Sequence, residues 1–271
     1  MVSEVSILES HLRDTHPRFG MNIASHQNAL DIFPDWFSAM PEHSGLKGGP
    51  HDGHFNDARV TWASKIIGGF AGRTILELGP YEAYNSYQFD MFGAASVISI
   101  EANVVNFLKC LVVKNIFNLE TTFLHGDFIS YMEQATSRYD ICWASGVLYH
   151  MTEPLRFLNA VAKMSDRIFL WTQYYDDDIQ RAREDMRFFD AAKNVQVNVG
   201  GREIVLHHRS YVTPQRQVFS GGPDEFSYWM KKDDIIFVLA SLGYTEIAMG
   251  VDNPQHPAGP ACFFFASRPR R

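Results

Sequence analysis

The amino-acid sequence predicts an α/β fold, in which helices cover a mostly parallel sheet that ends in an antiparallel hairpin. From Asn56 onward, strand-like apolar segments alternate with helix-like segments. A turn at Gly79 directly follows the first strand-like segment, Ile75 to Leu78, as in sheets that bind an adenosine-containing ligand. The last two strand-like segments are joined by a Pro/Gly-rich loop instead of a helix, which predicts the hairpin.

The composition limits the class of protein. The chain has 271 residues, 46% of them hydrophobic and 20% charged, and is long enough to bury a full core. Its formal net charge of −7 argues against a nucleic-acid partner without excluding one. The three cysteines are far apart, and no apolar segment approaches the roughly 20 residues that span a bilayer. We therefore expect a cytoplasmic protein with reduced cysteines and no membrane partner.

The first part of the chain divides into an extension and the start of the core. Residues 1–55 lack sustained periodicity and contain a Gly/Pro-rich stretch from Pro41 to Gly53, which predicts a lid-like N-terminal extension. The core, residues 56–271, begins with a helix that ends at Gly68. Strands are predicted at 75–78, 97–100, 121–124, 139–144 and 168–171, and helices at 85–92, 104–112 and 152–164. The sheet-facing stripe of the second of these helices is predicted at Val104, Phe107, Leu108, Leu111 and Val112, with Asn103 as its cap.

The alternation of strands and helices stops after Thr172. Residues 176–228 are predicted to form an insertion, with a charged helix from Gln180 to Phe189 followed by a β-rich segment. Its aromatic and arginine residues suit either the roof of a pocket for an organic acceptor or the contact of a homodimer. The core is predicted to finish with a capped helix and two strands, at Asp233–Leu242, Thr245–Val251 and Ala261–Ser267.

Four groups of residues lie at the ends of the first four predicted strands. They are Glu77 with Gly79, Glu101 with Ala102, Gly126-Asp127-Phe128, and Ala144 to His150. In this order they resemble the class I S-adenosyl-L-methionine-dependent methyltransferases, whose Rossmann-like, seven-stranded sheet also ends in a hairpin. The resemblance implies S-adenosyl-L-methionine as cofactor, bound by Glu77, Gly79, Tyr84, Glu101, Ala102, Asp127 and Phe128. The family turn has two or three glycines, whereas this chain has Pro80 to Tyr84 after its single Gly79.

Two shorter segments resemble one branch of that family. Gly146-Val-Leu-Tyr-His150 is similar to a segment of the transfer-RNA wobble-uridine carboxymethyl-transferring enzyme, which implies that Ser145 and Tyr149 line the cofactor. Lys47-Gly-Gly-Pro50 is similar to the segment whose lysine meets the extra carboxylate of that enzyme's cofactor, which makes Lys47 a candidate substrate-binding residue. His150 is a candidate catalytic residue, as a general base or as an orienting group.

The predicted function is methyl transfer from S-adenosyl-L-methionine to oxygen or nitrogen of a small organic acceptor. Gln173 and Tyr174, which follow the fifth strand, are candidate substrate contacts. No metal site is predicted, because no complete set of ligands appears at a known spacing. Three alternatives stay open: a transfer-RNA methyl- or carboxymethyltransferase, a nicotinamide-dependent oxidoreductase, and a catalytically inactive ligand-binding protein.

Overall fold

A computed structural model of the chain describes residues 20, 22–211 and 224–269. Residues 1–19 and 21 of the predicted extension therefore lie outside the described residues. Residues 212–223 of the predicted insertion also lie outside them. The strands are β1 Thr74–Leu78, β2 Ser96–Glu101, β3 Thr122–His125, β4 Ile141–Ser145, β5 Arg167–Gln173, β6 Val195–Val199, β7 Arg202–Ser210, β8 Phe226–Trp229, β9 Glu246–Asn253 and β10 Ala261–Ser267. The α-helices are α1 His26–Leu30, α2 Ala58–Ile67, α3 Tyr84–Met91, α4 Val104–Phe117, α5 Phe128–Gln134, α6 Pro154–Met164, α7 Asp177–Arg181 and α8 Lys232–Ser241.

The strands form a seven-stranded sheet and a three-stranded sheet. The larger sheet has the order β3-β2-β1-β4-β5-β10-β9, and the smaller has the order β6-β7-β8. β2 pairs in parallel with both β1 and β3, and β4 pairs in parallel with β5. β10 runs antiparallel to both β5 and β9. The predicted fold class, a Rossmann-like sheet with a C-terminal antiparallel hairpin, is confirmed.

Residues up to Phe128 form one compact unit, and those from Ile129 form a second. In the first unit, the N-terminal segment contributes large apolar side chains to a core shared with α3 and α4. This core contains Leu30, Phe33, Trp36, Met40, Phe55, Ala83, Tyr87, Cys110, Val113, Leu119 and Phe123. The described part of the extension is therefore packed against the sheet-forming unit through apolar contacts, which supply most of the stability of such a segment.

The buried face of α4 differs from the predicted stripe. Asn106, Lys109, Cys110 and Val113 are its buried residues, whereas Leu111 is 38% exposed. The periodic apolar pattern predicted the helix correctly, and Asn103 caps it by accepting a hydrogen bond from the Asn106 N–H. Of the predicted stripe, Phe107, Leu108 and Val112 are half-buried against the core, and Leu111 was placed wrongly. The burial of Lys109 was not predicted, because a buried lysine requires a partner that the helix sequence does not reveal.

Two local predictions in the second unit were also wrong. The charged helix predicted from Gln180 to Phe189 is a short α7 followed by a 3-10 turn, because Arg183 adopts an extended backbone conformation. Its guanidinium pairs with Asp185 and donates a hydrogen bond to the Pro257 carbonyl. α8 begins at Lys232 without a side-chain cap, and Asp233 lies in its first turn instead of capping it.

Cys110, Cys142 and Cys262 are free and buried, as predicted. Among the helices in the described part of the chain, none combines the length and the apolar character needed to cross a membrane.

Candidate active site

The turn after β1 holds three alternate residues in the left-handed backbone region. Gly79 has φ of 67°, Tyr81 of 58° and Ala83 of 60°. Glycine adopts this region readily, whereas other residues do so at a cost of about 1–2 kcal/mol each. The turn therefore has, at positions 79, 81 and 83, the backbone conformation that a turn rich in glycine would have.

A buried carboxylate holds this strained turn in place. Glu82 is fully buried and accepts hydrogen bonds from the backbone N–H groups of Phe37 (2.9 Å) and Ser38 (2.8 Å). Its Oε1 atom also lies 3.0 Å from the ammonium nitrogen of Lys109, which is 2% exposed. Lys109 donates a further hydrogen bond to the Asp35 carbonyl at 2.9 Å. This network fixes the turn to the N-terminal segment and offsets the cost of burying the charges.

Ala83 offers a direct test of the strain in the turn. We expect Ala83→Gly to raise the free energy of unfolding by about 1 kcal/mol, because glycine relieves the left-handed strain. The matched control is Ala63→Gly, which changes an equally buried alanine inside α2 and is expected to lower that energy by about 1 kcal/mol. Urea unfolding of both variants measures the two effects. A loss of stability in Ala83→Gly as large as in Ala63→Gly would contradict the strain.

Glu101 ends β2 and bonds to the strained turn. It is 5% exposed, and its Oε2 accepts a hydrogen bond from the Tyr81 N–H at 3.1 Å. Its Oε1 accepts one from the Asn103 N–H at 2.8 Å. Burial raises the pKa of Glu101 to about 7, while the two backbone N–H groups oppose that rise. A carboxylate in this position has lone pairs left to accept hydrogen bonds from two vicinal hydroxyls of a ribose.

Glu77 lies deeper, inside β1. It is 2% exposed, and its Oε2 accepts hydrogen bonds from the hydroxyls of Ser86 and Ser99, the latter at 2.6 Å. Burial raises the pKa of Glu77 to about 7, and the two hydroxyls lower it. The structure thus shows Glu77 joining β1, β2 and α3. Its predicted contact with the cofactor stays a prediction.

Tyr84, the predicted closing residue of the turn, begins α3. Its phenol is hydrogen-bonded to Arg59, and burial raises the pKa of Tyr84 to about 12. Its ring centroid lies 5.2 Å from that of His54. Arg59 is itself paired with Asp57 at 2.6 Å. Tyr84 is therefore fixed by the start of α2, at the C-terminal side of the turn.

The other predicted cofactor residues of this unit lie beyond the ends of β2 and β3. Ala102 is exposed, and its carbonyl lies 3.1 Å from Nε2 of His125. Asp127 is exposed and Phe128, the first residue of α5, is half-buried. The structure joins Tyr81 to Glu101 by a hydrogen bond, and the Gly79 N–H donates to the carbonyl of Ile100, the residue before Glu101. For Ala102, Asp127 and Phe128, cofactor contact stays a prediction.

Lys47 has an exposed side chain and a fixed backbone. Its N–H donates to Gln27 Oε1 at 2.9 Å, and its carbonyl accepts from Gln27 Nε2 at 3.0 Å. A Cβ on the following Gly48 would lie 2.6 Å from the Ser38 carbonyl oxygen, and one on Gly49 would lie 2.1 Å from that of Trp36. Close packing therefore requires both glycines. The role of Lys47 in binding substrate stays a prediction.

In the second unit, the segment after β4 forms a tight turn. Ser145 ends β4, Gly146 has φ of 81°, and a 3-10 turn covers Leu148–His150. A Cβ on Gly146 would lie 3.4 Å from the indole ring of Trp171. The Tyr149 ring packs on Trp171, with centroids 5.8 Å apart. These contacts bring Tyr149 and the end of β5 together, while the contact of Ser145 and Tyr149 with cofactor stays a prediction.

His150 takes part in a chain of hydrogen bonds with Tyr211 and Ser227. Its Nδ1 lies 2.7 Å from the Tyr211 hydroxyl, which donates to Ser227 Oγ at 3.0 Å. The Tyr211 hydroxyl also lies 3.4 Å from the Tyr149 carbonyl oxygen. In the tautomer whose Nδ1–H donates to the Tyr211 oxygen, the free lone pair of the imidazole is on Nε2. Burial, and then the charge of Arg209, lower the pKa of His150 to about 3. His150 is therefore neutral near pH 7 and able to accept a proton, and the same lowered pKa makes it a weaker base than an ordinary histidine.

Gln173 and Tyr174 bond to the C-terminal hairpin. The Gln173 amide donates to the Ala258 carbonyl at 2.6 Å, and the Tyr174 hydroxyl donates to Asp252 Oδ1 at 2.8 Å. Both side chains are buried. The structure shows them fixing the loop between β9 and β10, and their contact with substrate stays a prediction.

Sequence reasoning missed Glu82, Lys109, Ser227 and Trp229. Glu82 and Lys109 are far apart along the chain, and the apolar pattern of α4 gave no sign of a buried lysine. Ser227 gains its role only when β8 pairs with β7 and places it opposite Arg209. Within the described residues, no group of three His, Cys, Asp or Glu side chains is arranged to hold a metal ion.

Comparison with known proteins gives the fold of the chain. No family model and no curated protein matches it. The N-terminal domain of EvdMO1 with SAH bound is 19% identical, with a TM-score of 0.66 that covers 93% of this chain and 100% of that domain. The same domain in the presence of SAH and D-fucose is 20% identical, with a TM-score of 0.65 over 90% of this chain and 95% of that one. Magnesium protoporphyrin IX methyltransferase (ChlM) from Synechocystis PCC 6803 with bound SAH is 14% identical. Its TM-score is 0.53, and the match covers 97% of this chain and 95% of that one.

Identities this low establish a shared fold and nothing finer. The chain therefore has the Rossmann-like fold that the sequence predicted, and two of the three structures described above have S-adenosylhomocysteine bound.

Proposed function

We propose that the chain is an S-adenosyl-L-methionine-dependent methyltransferase that methylates a hydroxyl of a small polar acceptor. The observation that supports the cofactor most strongly is the bond from the Tyr81 N–H to the carboxylate of Glu101. It joins an acidic residue at the end of β2 to a turn whose backbone conformation lets a ligand approach closely. This is the pair of features that grips the sugar of an adenosine-containing ligand.

Each group has a separate role in this proposal. S-adenosyl-L-methionine supplies an electrophilic methyl group when it is bound. The Glu101 carboxylate would hold the cofactor by accepting hydrogen bonds from its ribose hydroxyls, and the backbone of residues 79–83, bonded to Glu101 through Tyr81, would line the same part of the site. Nε2 of His150 accepts the proton of the acceptor hydroxyl, while the Tyr211 hydroxyl holds the imidazole in the required tautomer.

Two considerations support a hydroxyl acceptor. An alcohol must lose its proton as it attacks, whereas a neutral amine attacks with its own lone pair, so a neutral buried histidine is more useful for oxygen. In addition, the structurally similar EvdMO1 domain was crystallised in the presence of D-fucose, a compound whose polar groups are mainly hydroxyls.

Mass spectrometry of the purified protein tests the cofactor. We expect S-adenosyl-L-methionine or S-adenosylhomocysteine to be carried over and released on denaturation. Carboxy-S-adenosyl-L-methionine would instead support the carboxymethyl donor, and NAD would support an oxidoreductase. Either result would overturn the proposed methyl donor. If no nucleoside is carried over, titration calorimetry with S-adenosylhomocysteine decides, and no measurable affinity would favour a binding protein that has lost catalysis.

Transfer-RNA modification is a second candidate, supported by the likeness of the Gly146–His150 segment to a transfer-RNA-modifying enzyme. The net charge of −7 weakens this candidate, because an acidic protein repels the phosphate backbone. Binding of bulk transfer RNA that weakens steeply with added salt would favour it, whereas no binding at low salt would remove it.

A further inference from the structure

Arg209 on β7 has no role in the proposed reaction and lies among four aromatic rings. Its guanidinium carbon is 5.6 Å from the ring centroid of Phe188 and 5.9 Å from that of Phe189. It is 5.4 Å from the centroid of Tyr211 and 5.1 Å from that of Trp229. Rings at these distances attract the cation, hold its plane and exclude water from its faces.

The guanidinium has no counter-charge among residues 20, 22–211 and 224–269. No carboxylate in this range lies within ion-pair distance of Arg209, and its buried Nε–H has no hydrogen-bond acceptor. The indole N–H of Trp229, in the same cluster, is also buried without an acceptor. By contrast, Arg202 on the same strand packs on Phe237 and pairs with Asp234 at 2.6 Å.

Unsatisfied donors of this kind indicate the chemistry of the missing partner. A buried N–H without an acceptor costs about 1–3 kcal/mol, and more when the donor is charged. Both orphaned groups of the cluster are donors, so the complementary group is an acceptor, and the positive charge favours an anion. A planar guanidinium fits a carboxylate or a phosphate through two parallel hydrogen bonds.

The cluster is also connected to the proposed base. Tyr211 packs on Arg209 and hydrogen-bonds to His150 through its hydroxyl at 2.7 Å. Tyr211 therefore links Arg209, and any anion that it holds, to the imidazole of His150.

We propose that Arg209 binds an oxyanion, either a carboxylate or a phosphate, carried by the acceptor, so that the enzyme selects acidic hydroxylated molecules. This inference rests on the proposed function, because it names the class of acceptor. It also gives the charge of Arg209 a second effect. Neutralising that charge removes one of the two causes that depress the basicity of His150, so an acidic acceptor activates the base that deprotonates it.

The test uses acetate and inorganic phosphate as probes, with D-fucose as a neutral control, at constant ionic strength. The readout is the NMR signal of the Trp229 indole N–H, assigned with Trp229→Phe. In the wild-type protein we expect a saturable shift with at least one anion and none with D-fucose. The anion that binds more tightly identifies the group that the acceptor carries, a carboxylate for acetate or a phosphate for inorganic phosphate. Arg209→Gln should weaken that binding by about tenfold or more. Arg209→Lys should weaken it less, because lysine keeps the positive charge but cannot donate the two parallel hydrogen bonds of a planar guanidinium.

Arg202→Gln is the matched control, since it removes a stacked arginine from the same strand whose charge is already paired. It should leave the titration unchanged. No saturable shift with either anion, or an equal shift in Arg209→Gln, would overturn the inference. Calorimetry with S-adenosylhomocysteine on the same samples separates the two proposals. If cofactor binds and the anions do not, only the acceptor class is wrong, whereas anion binding without cofactor binding would contradict the proposed function alone.

Discussion

Replacing His150 with glutamine is expected to lower kcat for methyl transfer by about 10²- to 10⁴-fold, the usual contribution of a positioned general base. Glutamine keeps a polar side chain of similar length but cannot take up a proton near neutral pH. The affinity for S-adenosylhomocysteine should not change, because His150 acts on the acceptor. Steady-state kinetics and titration calorimetry on the same protein measure the two effects.

The pH dependence of the reaction provides a second test of the role of His150. His150 acts as a base only when it is neutral, and burial together with Arg209 lowers its pKa to about 3 in the free protein. The rate should therefore stay constant as the pH falls through about 6.5, where an ordinary histidine becomes protonated. Only at clearly lower pH should kcat/KM decline. His26→Gln, a change at an exposed histidine, is the control. Full activity of the His150 variant would show that His150 only orients the site.

Replacing Glu101 with alanine is expected to weaken the binding of S-adenosylhomocysteine by at least roughly 100-fold. A carboxylate that accepts hydrogen bonds from two ribose hydroxyls contributes about 1.5–3 kcal/mol for each bond. Glu101→Gln keeps the shape and one acceptor oxygen, so its affinity should fall between those of the alanine variant and the wild type. Titration calorimetry measures the affinities, and thermal unfolding verifies that each variant is folded.

The raised pKa of Glu101 makes that affinity depend on pH. Because the hydroxyls donate to the charged form, affinity should rise as the pH rises through about 7, and Glu101→Gln should lose this dependence. Glu120→Ala, at an exposed position, is expected to behave as the wild type in both respects. An alanine variant at position 101 that binds as tightly as the wild type would remove the proposed ribose contact.

The parts of the fold that the sequence predicted are those set by local pattern. Buried strands, the helices between them and the final hairpin follow from the periodicity of apolar residues and from the positions of glycine and proline. The sequence also allowed Glu101 to be selected as a candidate residue, because the carboxyl ends of parallel strands gather at one edge of a sheet, where ligands bind. These features depend on residues close together in the chain.

The features that the sequence did not predict depend on distant partners. Tyr81 and Ala83 hold left-handed conformations because Glu82, between them, bonds to residues 44 and 45 positions away. Lys109 is buried because it meets the same carboxylate. The tautomer of His150 depends on Tyr211, 61 positions further along the chain. No local pattern encodes such contacts, so they become visible only in the folded chain.

The most direct test of the central claim is a crystal structure of the protein with S-adenosylhomocysteine. We predict that both ribose hydroxyls lie within hydrogen-bond distance of the Glu101 carboxylate and that the nucleoside passes over the backbone of residues 79–83. A nucleoside bound elsewhere on the protein, or one whose ribose makes no contact with Glu101, would contradict the account.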